Sequence, residues 1–410
     1  MKKYVIIGNG IAAAGCIEGI RSVDRDGKIT VVSAEDHPVY CRPLISYYLE
    51  NKTDADKMKY RSDSFYTENG CEVLYGVRAV GIDSAAKTVK LNDGAELPFD
   101  ELCIAAGSSP FVPPFTGLEK VKQKFGFMTL DDAFALEKAV GKESRVLIIG
   151  AGLIGLKCAE GLYGRAKSIT VCDLANRVLS SILDEESSEI VKRRLEEKGI
   201  SFMLGDSAEA FEKSSAKMKS GKIVDFDILV LAVGVRANIS IFKNIGGKCN
   251  RGILVNDRCE TSVEDIYAAG DCTEYKDVSD GTEKVMALLP NAYMQGHCSG
   301  VNMAGGAEVF DNAIPMNSIG FFGLHTMTAG SRDGEVYEDS SETHLKKLFI
   351  KDGRLVGFIL IGDTERAGIY TDMIRKRTPL ESVNFDILKK TPELFAFSEK
   401  YRRKILGGVV

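Results

Sequence analysis

At 410 residues and 44% hydrophobic, the chain is long enough to bury the cores of two or three domains. Its 53 basic and 58 acidic side chains leave a net charge of −5 with the signs interspersed, which argues against a nucleic-acid-binding face or a long basic membrane patch. Ten cysteines lack any C-x-x-C pair or zinc-like spacing, and His37, His297, His325 and His344 lie far apart; no metal site is implied, and the cysteines read as small core hydrophobes of a reducing, cytoplasmic compartment.

Residues 2–7 are a short apolar run of strand type, Gly8-Asn9-Gly10-Ile11-Ala12-Ala13 follows at once, and 14–20 reads as a helix. Strand, glycine turn and helix open a dinucleotide fold. Gly8 permits the tight turn, Gly10 lets the backbone approach a pyrophosphate, and small Ala13 lets helix and strand pack closely, while the helix N-terminus offers its N–H groups to phosphate. A second strand at 28–32 leads through Ser33 and Ala34 to Glu35, placed to bind a ribose hydroxyl. The same stretch also has the outline of a lipoprotein signal ending at Cys16. Cleavage there would delete the first glycine turn and leave the matching downstream motifs without purpose. No other stretch approaches the ~20 apolar residues that a membrane span requires.

Residues 37–50 form a loop ending in a helix that starts near Pro43. Residues 72–82 and 88–96 alternate in the manner of strands, with Asn92-Asp93-Gly94 as a hairpin turn, and 99–107 reads as a buried strand entering a small-residue turn. Pro110, Pro113 and Pro114 punctuate a linker over 108–144. A second glycine turn follows the strand 145–149: Gly150, Gly152, Leu153, Ile154 and Gly155 stand in the pattern, and the strand 168–173 ends on Asp173. Two nucleotide sites are implied. A carboxylate ending that strand accepts hydrogen bonds from an unmodified ribose and repels a 2′-phosphate, so NADH is expected over NADPH, with Arg177 as the opposing cation. Beyond 315 the composition turns to aromatic strands, a hairpin over 346–362 turned at Asp352-Gly353, and helices over 366–377 and 385–404. Lys389, Lys390, Arg402, Arg403 and Lys404 give that end a basic run, read either as a docking face for an acidic carrier or as a solvated helix face.

The loop His37-Pro-Val-Tyr-Cys-Arg-Pro-Leu-Ile-Ser46, the turn Ala105-Ala106-Gly107, the stretch 227–236 with Gly234, and Tyr267-Ala-Ala-Gly-Asp271 occur in the order in which FAD-dependent pyridine-nucleotide oxidoreductases carry such motifs. The chain resembles that family, most similarly in pattern the NAD(P)H:rubredoxin and ferredoxin reductases and the flavin part of assimilatory nitrite reductase. The resemblance covers essentially the whole chain. It implies an α/β fold with two Rossmann-like domains: an FAD domain from 1–112 and 238–314, an inserted NAD domain at 113–237, and a small α+β interface domain at 315–410. By the same resemblance Arg42 and Pro43 pack against the flavin, Val77 meets adenine through its backbone, Ala106 and Gly107 let the chain pass close to FAD, Gly234 closes over nicotinamide, and Asp271 binds the ribityl chain. The resemblance also implies that the helix after 288–295 directs its positive N-terminus toward the flavin pyrimidine.

FAD and NADH are thus the implied cofactors, with a hydride passing from nicotinamide to flavin and electrons leaving to a rubredoxin, ferredoxin or iron–sulfur subunit. A homo-oligomer or a place in a larger redox complex is consistent with the terminal domain. The paired cysteines and the C-terminal His-Pro motif of the dithiol reductases are absent, leaving single Cys41, which coenzyme A disulfide reductases and NADH oxidases would use as a thiolate. Arg42 and the helix end after Pro43 are the groups available to lower its pKa. An FAD-bearing subunit or sensor without catalysis is the reading of another class. Two departures stand out: where many relatives have lysine and glutamate, this chain has Tyr47 and Lys157, and Lys157 is expected to supply the missing cation from the NAD domain.

Overall fold

The computed structural model describes residues 1–341 and 343–406, with side chains through 403. The first glycine unit is β1 (Lys3–Ile7), α1 (Ile11–Val23) and β2 (Lys28–Val32), and both strands are buried after their first residue, as strands covered on both faces must be. After a 3-10 turn over Arg42–Leu44 come α2 (Ile45–Leu49) and the single turn α3 (Phe65–Glu68). The helix expected from Pro43 therefore begins as a tighter turn.

The run 72–82, expected to be one strand, is two strands in two sheets. β3 (Cys71–Leu74) pairs parallel with β2, Gly76 then turns the chain at φ +68, and β4 (Ala79–Asp83) opens an antiparallel meander with β5 (Thr88–Leu91) and β6 (Glu96–Pro98). Alternation alone carries no sign of which partner a strand finds. The hairpin at 92–94 is present, with Gly94 at φ +90. β7 (Glu101–Ile104) returns to pair with β1, and β8 (Ser108–Pro110) leaves the sheet.

The insert repeats the plan. β9 (Lys124–Phe125), α4 (Leu130–Ala139), β10 (Arg145–Ile149), α5 (Leu153–Gly161), β11 (Ser168–Asp173), α6 (Glu185–Glu196) and β12 (Ile200–Leu204) are followed by a meander, β13 (Ala208–Phe211), β14 (Ser215–Met218) and β15 (Ile223–Asp225). β16 (Ile228–Leu231) closes the sheet, whose parallel order is β12-β11-β10-β16-β9. β17 (Val235–Ala237) pairs antiparallel with β8, so the two connections between sheets form one ribbon. After α7 (Ser240–Lys243) and β18 (Ile253–Leu254), β19 (Ile266–Ala268) completes the first parallel sheet, order β19-β7-β1-β2-β3. β20 (Thr273–Lys276), β21 (Glu283–Lys284) and α8 (Leu289–Met303) follow.

Residues 1–275 and 285–310 form one compact unit; 276–284 with 311–410 form the other. The second holds an antiparallel sheet of β22 (Met316–Phe321), β23 (Leu324–Gly330), β24 (Glu335–Ser340), β25 (Leu345–Lys351) and β26 (Arg354–Ile361), ordered β22-β23-β26-β25-β24. The β25–β26 turn is Asp352-Gly353, both at positive φ (50 and 66), as a two-residue hairpin of primed type requires. Tyr370, Met373 and Ile374 of α9 (Ala367–Arg375) join Leu348, Phe358 and Leu360 in its core. The single helix expected over 385–404 is broken into α10 (Phe385–Leu388), a 3-10 turn at 394–396 and α11 (Glu399–Leu406), because Pro392 lacks an N–H and disfavours helical backbone at Thr391. The basic run is divided with it: Lys389 pairs with Asp386 and Arg403 with Glu399, and the side chain of Lys404 lies outside the described ones. Among the described residues, no helix is long and apolar enough to cross a membrane.

Candidate functional site: two glycine turns and the loops around them

A Cβ on Gly8, which sits at φ +112, would stand 2.1 Å from the Ala105 carbonyl oxygen, so the turn at the end of β1 admits glycine alone. Gly10 caps α1 in extended conformation, and a Cβ there would meet nothing within 4 Å among the described residues, leaving the backbone open to a ligand. Ala13 is fully buried where α1 meets the sheet.

α1 also lies against α8 with almost no side chain between them. Cβ atoms on Gly15, Gly19, Gly296 and Gly300 would stand 2.4, 2.2, 2.0 and 2.1 Å from carbonyl oxygens of Tyr293, His297, Ala12 and Cys16 on the facing helix. Ala12 faces Gly296 and Cys16 faces Gly300, so the helices run parallel and the N-terminus of α8 is carried past that of α1. Sequence reasoning missed this contact, although glycines four apart in both helices are its signal.

The loops bring the remaining first-site residues together. The two oxygens of Glu35 accept from the Arg42 guanidinium and, at 2.7 Å, from the Tyr40 hydroxyl. The Arg42 Nη1 donates to Met128 O at 3.3 Å, and the Tyr40 hydroxyl accepts from Leu130 N at 3.0 Å. Pro43 lies in the 3-10 turn that follows. Asp271 accepts from Ser108 Oγ at 3.3 Å; burial pushes its carboxyl up, against the opposing effects of Ser108 and the Arg42 charge. Gly107, at φ +64, and Ala106 both give their carbonyls to Asn238, at 3.0 and 2.8 Å. Gln295 Oε1 holds the turn before Asp271, accepting from Gly270 N at 2.8 Å and Thr273 Oγ1 at 2.9 Å. The backbone N–H of Val77 is taken by Ser33 O at 2.9 Å. Tyr40, Ser108, Asn238 and Gln295 were not singled out from sequence, since each acts on residues far along the chain.

At the second turn, Gly150 at φ +118 would place a Cβ 2.2 Å from Ala232 O, and one on Gly152 would meet nothing within 4 Å among the described residues. Gly155, in the first turn of α5 with Leu153 and Ile154, lies against Gly150 O at 1.9 Å from its would-be Cβ. Asp173 accepts two backbone N–H groups, Ala151 at 2.6 Å and Ala175 at 2.8 Å. Arg177 turns to Ser180 O at 3.4 Å. Gly234, at φ +108, accepts from Phe111 N at 2.9 Å beside the ribbon.

Lys157 is not a lone cation. Its ammonium pairs with Glu160, 4% exposed, and lies 4.7 Å from the centre of the Tyr47 ring, so the two departures noted from sequence touch each other. Cys41 is half-buried: Arg42 pairs with Glu35, and burial pushes the Cys41 thiol up, against a smaller opposing hydrogen bond from Leu44 N–H. The thiolate reading of Cys41 requires a lowered pKa; here it is raised, because desolvation outweighs the Leu44 N–H.

Residues 2–296 match the model of the pyridine nucleotide-disulphide oxidoreductases, and 315–378 match the rubredoxin NAD+ reductase C-terminal domain. The chain is 30% identical over 393 residues to the NADH-dependent phenylglyoxylate dehydrogenase subunit epsilon of Aromatoleum evansii, covering 92% of each. It is 29% identical to the assimilatory nitrate reductase electron transfer subunit of Bacillus subtilis, using 95% of its own length but only 51% of that protein's. The reductase in a covalent putidaredoxin reductase–putidaredoxin complex has the same fold, at a TM-score of 0.88 with 21% identity and coverage of 99% and 98%. The chain belongs to the pyridine nucleotide-disulphide oxidoreductase family, with a C-terminal domain of the rubredoxin NAD+ reductase kind.

Proposed function

We propose that this protein is an FAD-dependent NADH oxidoreductase that passes electrons to a rubredoxin, a ferredoxin or an iron–sulfur subunit. The observation that carries this reading is the pair of glycine turns, each strained where only glycine fits and open where a pyrophosphate would lie, on two parallel sheets joined by one ribbon. On this reading residues 1–112 and 238–314 hold FAD, 113–237 hold NADH, and 315–410 face the acceptor. Gly8, Gly10 and the start of α1 receive the FAD pyrophosphate, Glu35 its ribose, and Asp271 its ribityl chain, while Arg42, Pro43, Val77, Ala106 and Gly107 shape the cavity. Gly150, Gly152 and Gly155 receive the second pyrophosphate, and Asp173 the ribose. Bound FAD supplies the change from two-electron hydride chemistry to single-electron release. The chain's own residues bind, orient and exclude water.

The two N–H groups on Asp173 hold its carboxylate fixed, and each oxygen keeps a lone pair for a ribose hydroxyl. A 2′-phosphate there meets like charge, so NADH is favoured by about 1–3 kcal/mol. The raised Cys41 thiol supports outward electron transfer over cysteine chemistry. Relatives named as an epsilon subunit and an electron transfer subunit support a place within a larger redox enzyme. Ten cysteines without a disulfide support the cytoplasm. Stopped-flow mixing with NADH or NADPH, followed by a panel of rubredoxin, ferredoxin, coenzyme A disulfide and oxygen, tests the reading. Rapid flavin bleaching by NADH and reoxidation by an iron–sulfur protein is the expected result. Faster turnover of the disulfide or oxygen would favour the Cys41 enzyme, and no bleaching would leave an FAD-bearing sensor.

A further inference from the structure

We propose that Tyr40 is a positioning residue that couples the ribose end of the FAD site to the docking of the NADH-binding insert. The inference rests on the reading of Glu35 as the ribose-binding carboxylate. Glu35 lies in the loop just beyond β2 of the first sheet, yet both of its oxygens are tied to the insert through one intermediate side chain each. One arm runs from Glu35 through Arg42 to the carbonyl of Met128. The other runs from Glu35 Oε2 through the Tyr40 hydroxyl, 2.7 Å away, to the N–H of Leu130, 3.0 Å beyond. Residues 128–130 lead from β9, part of the insert's own sheet, into α4, and Asp132 Oδ2 holds the N–H groups of Met128 and Thr129 at 2.9 Å each. The segment is therefore rigid with the insert.

The Tyr40 arm is the stronger of the two. Its ring is 7% exposed, and burial drives the hydroxyl pKa far above its ordinary value, so the group stays neutral and donates. The Arg42 arm ends in a 3.3 Å contact from a half-exposed guanidinium. His37, whose Nε2 lies 2.8 Å from Asp131 Oδ1 and whose ring stands perpendicular to that of Tyr40 with their centres 6.2 Å apart, braces the same junction. Any shift of α4 relative to the 37–42 loop must pull on Glu35, and any ligand that fixes Glu35 must favour one position of α4. Such coupling is reciprocal: a dinucleotide in the insert slows loss of FAD, and FAD tightens the insert's site.

The test follows flavin fluorescence as FAD leaves the holoenzyme on dilution, with and without saturating NAD+. In the wild type NAD+ slows release by about fivefold, within the range of a modest coupling energy. Tyr40→Phe keeps the ring, releases FAD about tenfold faster for want of one hydrogen bond to a charged group, and brings the NAD+ effect to near one. Leu130→Pro removes the N–H that the Tyr40 hydroxyl accepts while leaving the bond from Tyr40 to Glu35, at the first helical position, where proline is tolerated and where Thr129 is already extended, and it likewise brings the NAD+ effect to near one. Thr129→Ala, which removes the α4 cap without touching Glu35, leaves the ratio as in the wild type. A loosened fold speeds release in both conditions and preserves the ratio, so an unchanged ratio in Tyr40→Phe and Leu130→Pro overturns the proposal. So does a ratio of one in the wild type, or one altered equally by Thr129→Ala. Glu35→Gln separates the two readings: if it releases FAD no faster than wild type, the ribose assignment itself falls, whereas a leaky Glu35→Gln beside an unaltered Tyr40→Phe ratio removes only the coupling.

Discussion

At the first glycine turn Gly8 N donates to Val32 O, Val77 N to Ser33 O and Gly76 N to Glu35 O; at the second, Gly150 N donates to Cys172 O, Asp206 N to Asp173 O and Gly205 N to Ala175 O. The two frameworks correspond bond for bond. Within them, however, the carboxylates do not: Asp173 stands where the first site has Ser33, and Glu35 stands where the second has Ala175. Asp173 is held by backbone N–H groups of its own domain, whereas Glu35 is held by two side chains that reach into the insert. The parallel sheet dictates the turn, and the loops beyond it decide whether the acid answers to its own domain or to a neighbour.

The largest effect that breaks the likeness comes from glycines pressed against backbone. Gly8→Ala and Gly296→Ala each bring a Cβ to about 2 Å from a carbonyl oxygen, and each should cost about 3 kcal/mol or more, read as a lower urea midpoint at unchanged slope. If either melts like the wild type, the close approach is not real.

Gly10→Ala and Gly152→Ala sharpen the comparison because neither meets a neighbour within 4 Å among the described residues. Both should fold with stability changed by under about 1 kcal/mol. Gly10→Ala should purify with FAD largely lost, and Gly152→Ala should stay yellow with a KM for NADH raised about tenfold or more, the scale of one displaced phosphate contact. Equal loss of flavin from both would deny the division of labour.

A smaller effect on turnover is expected where α5 meets α2. Lys157→Met breaks a buried pair with Glu160 and should cost about 3 kcal/mol. Because that charge is already compensated, NADH-driven flavin reduction should fall less than tenfold; a rate equal to wild type would remove Lys157 from the flavin's surroundings.

The smallest is Cys41→Ser, which should keep reduction of an iron–sulfur protein within a few-fold. A loss of about a thousandfold, the scale of a removed covalent nucleophile, would move the assignment to disulfide reduction. Since the folded thiol titrates above its ordinary 9.0, it remains protonated when an unfolded thiol has begun to ionise. The stability from burying it neutral is complete below that value and is lost as pH rises through the folded one. Alkylation at Cys41, mapped by mass, should accordingly lag behind a free thiol up to and beyond pH 9.0.

Much of the architecture was legible in the chain. Both glycine turns, the Asn92–Gly94 and Asp352–Gly353 hairpins and the buried second strands rest on φ preference and hydrophobic run length, which adjacent residues settle between them. The errors lie where adjacent residues leave the outcome open. The 72–82 run alternates throughout, yet Gly76 sends its halves to different sheets; the 385–404 run has helical composition, yet Pro392 divides it.

By itself, then, the sequence determined where the backbone must turn, which strands are buried on both faces, and which residue types stand at the two glycine turns. Only the tertiary structure decided what those residues touch. Tyr40 reaches Leu130 across 90 positions, Asn238 reaches Ala106 across 132, and Gly296 of α8 receives Ala12 of α1 from the far end of the chain. Local periodicity can mark a contact face, as the glycines four apart in α1 and α8 do, but carries no record of the partner each face finds. Those pairings follow from which faces the packed sheets leave open and from the requirement that each buried polar group find a partner there.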